Sequence, residues 1–263
     1  MASYLPEGSE LESQEKRRVP VYLLLDVSGS MEGAPLASLR NALEHFQTDL
    51  KADQFTRDNV WFGIITFADE AHWVTDGLQP IQSFQTPDLA AGGVTRLDKA
   101  FEVLRESLDR DIRKPILGKQ QGDGRPIVFV FTDGKPTNEQ GEPDPKEPED
   151  VKDPDKLKTV PWKAARDKVV SDKMGGTASK GSVRLYDLYP FGCGPSVDDE
   201  VLKVISTGLA FHVDKDAEGF AQFCKLMTMI SIMSAQKQAT GEEPGPIVEP
   251  EDLPPDIGAV VLT

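Results

Sequence analysis

The chain has only two cysteines and three histidines in 263 residues. That scarcity excludes a scaffold held by several disulfides. Cys193 sits in a Gly-Cys-Gly turn and Cys224 in a helical pattern, so both read as small core residues rather than a disulfide or redox pair. His45, His72 and His212 are scattered without the close spacing of a zinc site. No apolar run approaches the roughly 18 residues needed to cross a bilayer. The longest, Val19 to Val27, is the length of a strand. The opening MASYLPEGSELESQEKRR puts polar and acidic residues where a signal peptide would be apolar. A cytoplasmic location without membrane insertion is the expectation. Positive charge is the minority sign: 29 Lys and Arg against 44 Asp and Glu, for a net charge of -15. Such a surface repels phosphate backbones and anionic lipid, so nucleic acid is not an expected partner. Divalent cations and basic protein surfaces suit it better.

What is present supports a sizeable core, with 38% hydrophobic residues. Pro20 to Leu25 is a continuous apolar run, as in a strand buried on both faces of a parallel sheet. Leu36, Leu39, Leu43, Phe46 and Leu50 recur at steps of three and four, the spacing of an amphipathic helix. Val60 to Phe67 reads as a second strand, and the pieces around His72 to Val74 and Leu78 to Ile81 suit an antiparallel edge. Leu97, Phe101, Leu104, Leu108 and Ile112 mark another helix, and Ile127 to Phe131 another buried strand. Further on come a helix over Trp162 to Met174, a strand over Val183 to Phe191, a short helix near Asp198 to Ser206, and a short strand near Ala210 to Val213. A last helix, Ala217 to about Lys237, has a broad apolar stripe that suits packing on a sheet. The alternation predicts an α/β fold: a doubly wound, mostly parallel central sheet with one antiparallel edge strand and helices on both faces. The expected organisation is a loose extension over 1–18, one domain over 19–237 with an acidic surface insert at about 138–159, and a proline-rich acidic tail over 238–263. The tail's apolar end, Ala259 to Leu262, reads either as a surface terminus or as a peptide able to pair with a sheet edge.

Three polar loops fall where strands end or helices begin. Asp26-Val27-Ser28-Gly29-Ser30 supplies one carboxylate and two hydroxyls at alternate positions. Thr95 follows Gly92-Gly93-Val94, and Asp133 ends a strand in Phe131-Thr132-Asp133-Gly134. Oxygen donors of this kind suit a hard cation: Mg2+, or else Mn2+ or Ca2+. Taken singly, each residue has a plainer reading. Ser30 could cap the following helix, Ser28 close a turn, Thr95 cap the helix near Leu97, and Asp133-Gly134 form a turn. Brought together at one sheet edge, Asp26, Ser28, Ser30, Thr95 and Asp133 would form a metal site. Hydroxyls are neutral, so much of an ion's charge would stay uncompensated and attract an acidic residue from a partner protein.

These three motifs together resemble von Willebrand factor A domains. The resemblance implies a metal-ion-dependent adhesion site at Asp26, Ser28, Ser30, Thr95 and Asp133, the hydroxyls ligating directly and the aspartates often through water. Within that family, Val19 to Met31, Phe131 to Thr137 and Trp162 to Ala165 look like bacterial TerY-type proteins of tellurite-resistance and stress gene clusters. That likeness implies a scaffold or adaptor beside a protein kinase and a metal-dependent phosphatase. Another reading with the same fold is a partner of a ring-forming ATPase in a chelatase-like or remodelling machine. A third is a haloacid-dehalogenase-like phosphatase, whose nucleophile also follows a first parallel strand. Such enzymes carry Asp-x-Asp, and Ser28 stands where their second carboxylate acts as general acid; a serine hydroxyl cannot protonate a leaving alkoxide near neutral pH. No nucleophile elbow or Walker loop is present. The expectation is a non-enzymatic binding module.

Overall fold

The computed structural model describes residues 17–114, 122–144, 160–170, 187–240, 249, 251, 253 and 260–262. Most of the expected N-terminal extension, residues 145–159 of the acidic insert, and much of the tail lie outside these. So do the predicted helix end at 171–174 and strand start at 183–186.

One sheet organises the fold. Its strands are β1 (Val19–Asp26), β2 (Val60–Phe67), β3 (Ala71–Trp73), β4 (Gln79–Pro80), β5 (Ile127–Thr132), β6 (Asp187–Cys193), β7 (Ala210–Val213) and β8 (Val260–Leu262). They lie in the order β3-β2-β1-β5-β6-β7-β8, with β4 also paired to β2. β2, β1, β5, β6 and β7 run parallel to one another. β3 and β4 pair antiparallel to β2, giving the expected antiparallel edge. A second antiparallel edge stands at the opposite side, where β8 from the tail pairs with β7 through His212↔Val260 to Ala210↔Leu262.

The strands are buried on both faces because helices cover both. Alternate residues of β1 go to opposite cores: Val21, Leu23 and Leu25 to one, Tyr22 and Leu24 to the other. That is the period-two alternation of a strand within an apolar run. On the first face lie α1 (Ala34–Ala52) and α6 (Ala217–Thr240). α1 buries Leu39, Leu43, Phe46 and Leu50, the spacing seen in its sequence. α6 buries Phe220, Phe223, Leu226, Met227 and Ile230, so its stripe is core. A short α2 (Gln54–Asn59) follows α1, begun by Asp53, whose carboxylate accepts from the Thr56 amide at 2.7 Å. The second face holds α3 (Leu97–Asp111), α4 (Pro161–Val170) and α5 (Asp199–Ile205), with Phe101, Leu104, Trp162 and Ile205 fully or almost fully buried. Both cysteines are free and buried, as their positions suggest. No described helix is long and apolar enough to cross a membrane.

The strand order creates the site. After β1 the chain passes through α1 and α2 to β2 on one side; after α3 it reaches β5 on the other side of β1. The carboxyl ends of β1 and β5 therefore flank a reversal of strand order, where loops diverge and leave a crevice. Asp26 ends β1 and Asp133 follows β5 immediately.

Candidate metal centre

Asp26 is fully buried at the tip of β1. Its Oδ1 accepts the Ser28 amide at 2.9 Å and its Oδ2 accepts the Thr132 hydroxyl at 2.6 Å. These bonds tie the first loop to the end of β5 and fix the carboxylate's orientation. Ser28 Oγ and Ser30 Oγ are 3.1 Å apart, and Ser30 donates to Asp133 Oδ1 at 2.8 Å. Asp133 is as deeply buried as Asp26. Four of the five expected residues thus meet in one linked cluster.

Thr95 reaches the same place by a different route. Gly29 donates its amide to the Gly93 carbonyl at 3.0 Å, and Gly92 donates to the Val27 carbonyl at 2.8 Å, so the two loops are laced together. Thr95 and Thr137 then hold each other: the Thr95 amide donates to Thr137 Oγ1, and the Thr137 amide donates to the Thr95 carbonyl, both at 2.9 Å. A Cβ placed on Gly134, next to Asp133, would lie 3.5 Å from Thr95 Oγ1. The third hydroxyl therefore stands beside the Asp133 turn. Among the described residues it has no hydrogen-bond partner.

None of the three hydroxyls serves the plainer role open to it. Ser28 precedes a short 3-10 turn, Gly29–Met31, without capping it by its side chain, and Ser30 lies inside that turn. The residue preceding α3 is Arg96, not Thr95, and it makes no side-chain cap. Instead Ser30 donates to Asp133, Ser28 meets Ser30, and Thr95 stands beside the Asp133 turn. A hard divalent ion fits this donor set: Ser28, Ser30 and Thr95 would offer neutral oxygens, and Asp26 and Asp133 would offer charge directly or through water. Among the described residues no group of three or more His, Cys, Asp or Glu could hold a metal, so a softer, nitrogen- or thiolate-based centre has no counterpart.

The model von Willebrand factor type A domain matches residues 21–223. The chain belongs to that family. Similar folds among solved structures include the open conformation of the pilus adhesin SpaC from Lactobacillus rhamnosus GG, 14% identical over 84% of this chain and 30% of that one, with a TM-score of 0.57. A von Willebrand factor type A structure from Catenulispora acidiphila is 15% identical over 83% of this chain and 43% of that one, TM-score 0.54. The D319A mutant of the PilB minor pilin from Streptococcus sanguinis is 12% identical over 88% and 64%, TM-score 0.54. At such identities the likeness is one of fold, and this chain spans less than two thirds of the length of each. Among curated proteins none matches.

Three further residues, Thr132, Thr137 and Lys215, shape this cluster. Thr132 was visible only as part of Thr-Asp-Gly, and Thr137 only as a residue of the next loop. Lys215 lies 82 residues from Asp133, yet its Nζ donates to Asp133 Oδ2 and, at 2.7 Å, to the Ser30 carbonyl. Its one signal was position: it follows β7, whose carboxyl end opens on the same rim of the sheet as those of β1 and β5. The stretch after Asp133 is also built. Thr137 bridges Pro143, and Asn138 Oδ1 accepts the amides of Gln140 and Glu142 at 2.9 Å, which folds residues 137–144 into a turn beside Thr95.

Burial pushes the Asp26 carboxyl up from 3.8 to about 6, and the nearby charge of Asp133 adds to this; the bonds from Thr132 and Ser28 oppose it. A raised carboxyl pKa means that the folded state binds the proton more tightly than the unfolded one. The resulting stabilisation is present below pH 3.8 and is lost as pH rises through about 6. In metal-free protein, the stability of the wild type relative to Asp26→Asn should therefore fall by up to about 3 kcal/mol across that window. Urea unfolding of both proteins at several pH values checks it; a relative stability that is flat or rises with pH contradicts it.

Gly93 offers a second test. Its φ of 80° lies in the left-handed region, and a Cβ there would fall 2.5 Å from Asp69 Oδ2. Asp69 in turn accepts the Val94 amide at 2.9 Å. Gly93→Ala should cost about 1–3 kcal/mol of stability and weaken metal binding roughly tenfold by displacing Thr95. Calorimetric titration with Mn2+ measures the second effect, and an unchanged affinity would show that the loop does not position the hydroxyl.

Proposed function

We propose that this A domain is a non-enzymatic binding module whose Ser28, Ser30, Thr95, Asp26 and Asp133 hold a magnesium-class ion and present it to a partner protein. The gathering of the Ser28, Ser30 and Thr95 hydroxyls, none of which caps a helix, beside two buried carboxylates carries this reading. The three hydroxyls carry no charge, so Asp26 and Asp133 alone would offset that of the ion, and one aspartate or glutamate of the partner would complete its shell. Ser28, lacking a carboxyl group, disfavours phosphatase chemistry at Asp26. The likeness of Val19 to Met31 and of Phe131 to Thr137 to TerY-type proteins supports a cytoplasmic scaffold or adaptor in a stress-response system, with a protein kinase or phosphatase as partner.

The test is affinity capture with Mg2+, using the wild type and the Asp26→Ala/Asp133→Ala double variant. The wild type should retain partners that chelation and the double substitution both release. Recovery of the same partners by the double variant contradicts the mechanism. Hydrolysis of a generic phosphate ester that disappears on Asp26→Ala would contradict the non-enzymatic reading.

A further inference from the structure

Lys215 is held in place by construction. Its turn is pinned at one end by the Gly194 amide, which donates to the Val213 carbonyl at 2.9 Å, and at the other by Asp216 Oδ1, which accepts the Gly219 amide at 2.8 Å at the start of α6. The side chain then runs past Gly194, where any Cβ would lie 2.8 Å from Lys215 Cβ. Gly194, at a φ of 79°, supplies both the turn and the room. The ammonium ends against Asp133 Oδ2 and the Ser30 carbonyl, so it touches two of the residues assigned to the metal. Asp133 divides its two oxygens, one to the Ser30 hydroxyl and one to Lys215.

The charges can be counted from these contacts. Two carboxylates and three neutral hydroxyls would leave a bound divalent ion with no net charge to offer. One ammonium on Asp133 changes that balance by a full positive charge. We propose that Lys215 sets the charge of the centre, loosening its hold on a divalent ion while strengthening the loaded site's attraction for an acidic group. This rests on the metal-dependent reading above and deepens it. Affinity for the ion and affinity for the partner's carboxylate are then opposed at one residue. A centre lacking the lysine would keep its ion more tightly and recruit acidic ligands less well. Lys215 is a positioning and charge-setting residue; it ligates nothing itself.

The test uses the full chain as wild type, Lys215→Met, Lys215→Gln and Lys215→Arg. Gln keeps a hydrogen-bond donor near Asp133 while removing the charge, so it separates electrostatics from packing and serves if Met disturbs the fold. Mn2+ affinity is measured by calorimetry on metal-free protein. Acetate is then titrated into the Mn2+-loaded proteins, and its displacement of metal-bound water is followed by water-proton relaxation. Both neutral variants should bind Mn2+ roughly tenfold or more tightly than the wild type, and acetate should bind the loaded neutral variants several-fold more weakly. Lys215→Arg should behave like the wild type. Neutral variants with unchanged or weaker Mn2+ affinity, or unchanged acetate binding, overturn the proposal. Absence of Mn2+ binding in the wild type and all variants overturns the metal-centre reading itself, a distinguishable result.

Discussion

Asp26→Asn is expected to lower affinity for Mg2+ and Mn2+ by roughly a hundredfold or more while leaving the metal-free fold intact. The asparagine has the shape to keep accepting the Ser28 amide, and its other end remains beside Thr132, so the local frame survives. What disappears is one of the two buried negative charges beside the three hydroxyls. That charge is costly to the metal-free protein, because burial and Asp133 both disfavour the ionised form of Asp26. The variant should therefore be at least as stable as the metal-free wild type above about pH 6. Loss of binding together with retained or increased stability separates a metal residue from a structural one. Strong destabilisation above that pH would instead make Asp26 a structural hub. Unchanged metal affinity would remove it from the centre.

The second large effect lies beneath the site. Phe131 is the residue before Thr132 and is fully buried, its ring centroid 5.7 Å from that of Phe220 and 4.7 Å from that of Phe223. It joins β5 to α6 at the level where the loops diverge, and it pairs in register with Leu25 on one side and Phe191 on the other. Phe131→Ala should cost about 3–5 kcal/mol, since the surrounding strands cannot close the cavity left by the ring. Urea or thermal unfolding of metal-free protein gives the number. A cost below about 1 kcal/mol would mean that the sheet and α6 do not pack as described. The two substitutions act in different places: one removes charge with little effect on folding, the other removes packing beneath an unaltered set of ligands.

The pattern of these residues explains how much was legible beforehand. β1 is an apolar run that ends in Asp26, and β5 one that Asp133 follows directly, because a central parallel strand is buried on both faces until it emerges at the rim. Period and punctuation therefore located both the strands and the candidate ligands. Thr95 could be placed because glycines permit the close approach of loops that Gly29 and Gly93 make here. Lys215 was not legible: a lysine between two aspartates carries no motif, and its role follows only once β7 is placed in the same sheet. β8 was undecided for a related reason. Pairing of Val260 to Leu262 with β7 is a backbone interaction, and an apolar tripeptide does not specify which edge it will join. The turn at 137–144 was hidden inside a polar, proline-rich stretch, since side-chain bonds from Asn138 shape it rather than an apolar pattern.

The most direct test of the metal centre is calorimetric and thermal titration of the wild-type chain with Mg2+ and Mn2+, beside a Ser30→Ala variant. Ser30 is decisive because its hydroxyl contacts both Ser28 and Asp133. One ion should bind per chain, and thermal stability should rise as the ion is added, by about 3 kcal/mol at a hundred times the dissociation constant. Ser30→Ala should bind the ion more weakly. Absence of both binding heat and thermal shift with either ion would contradict the metal centre.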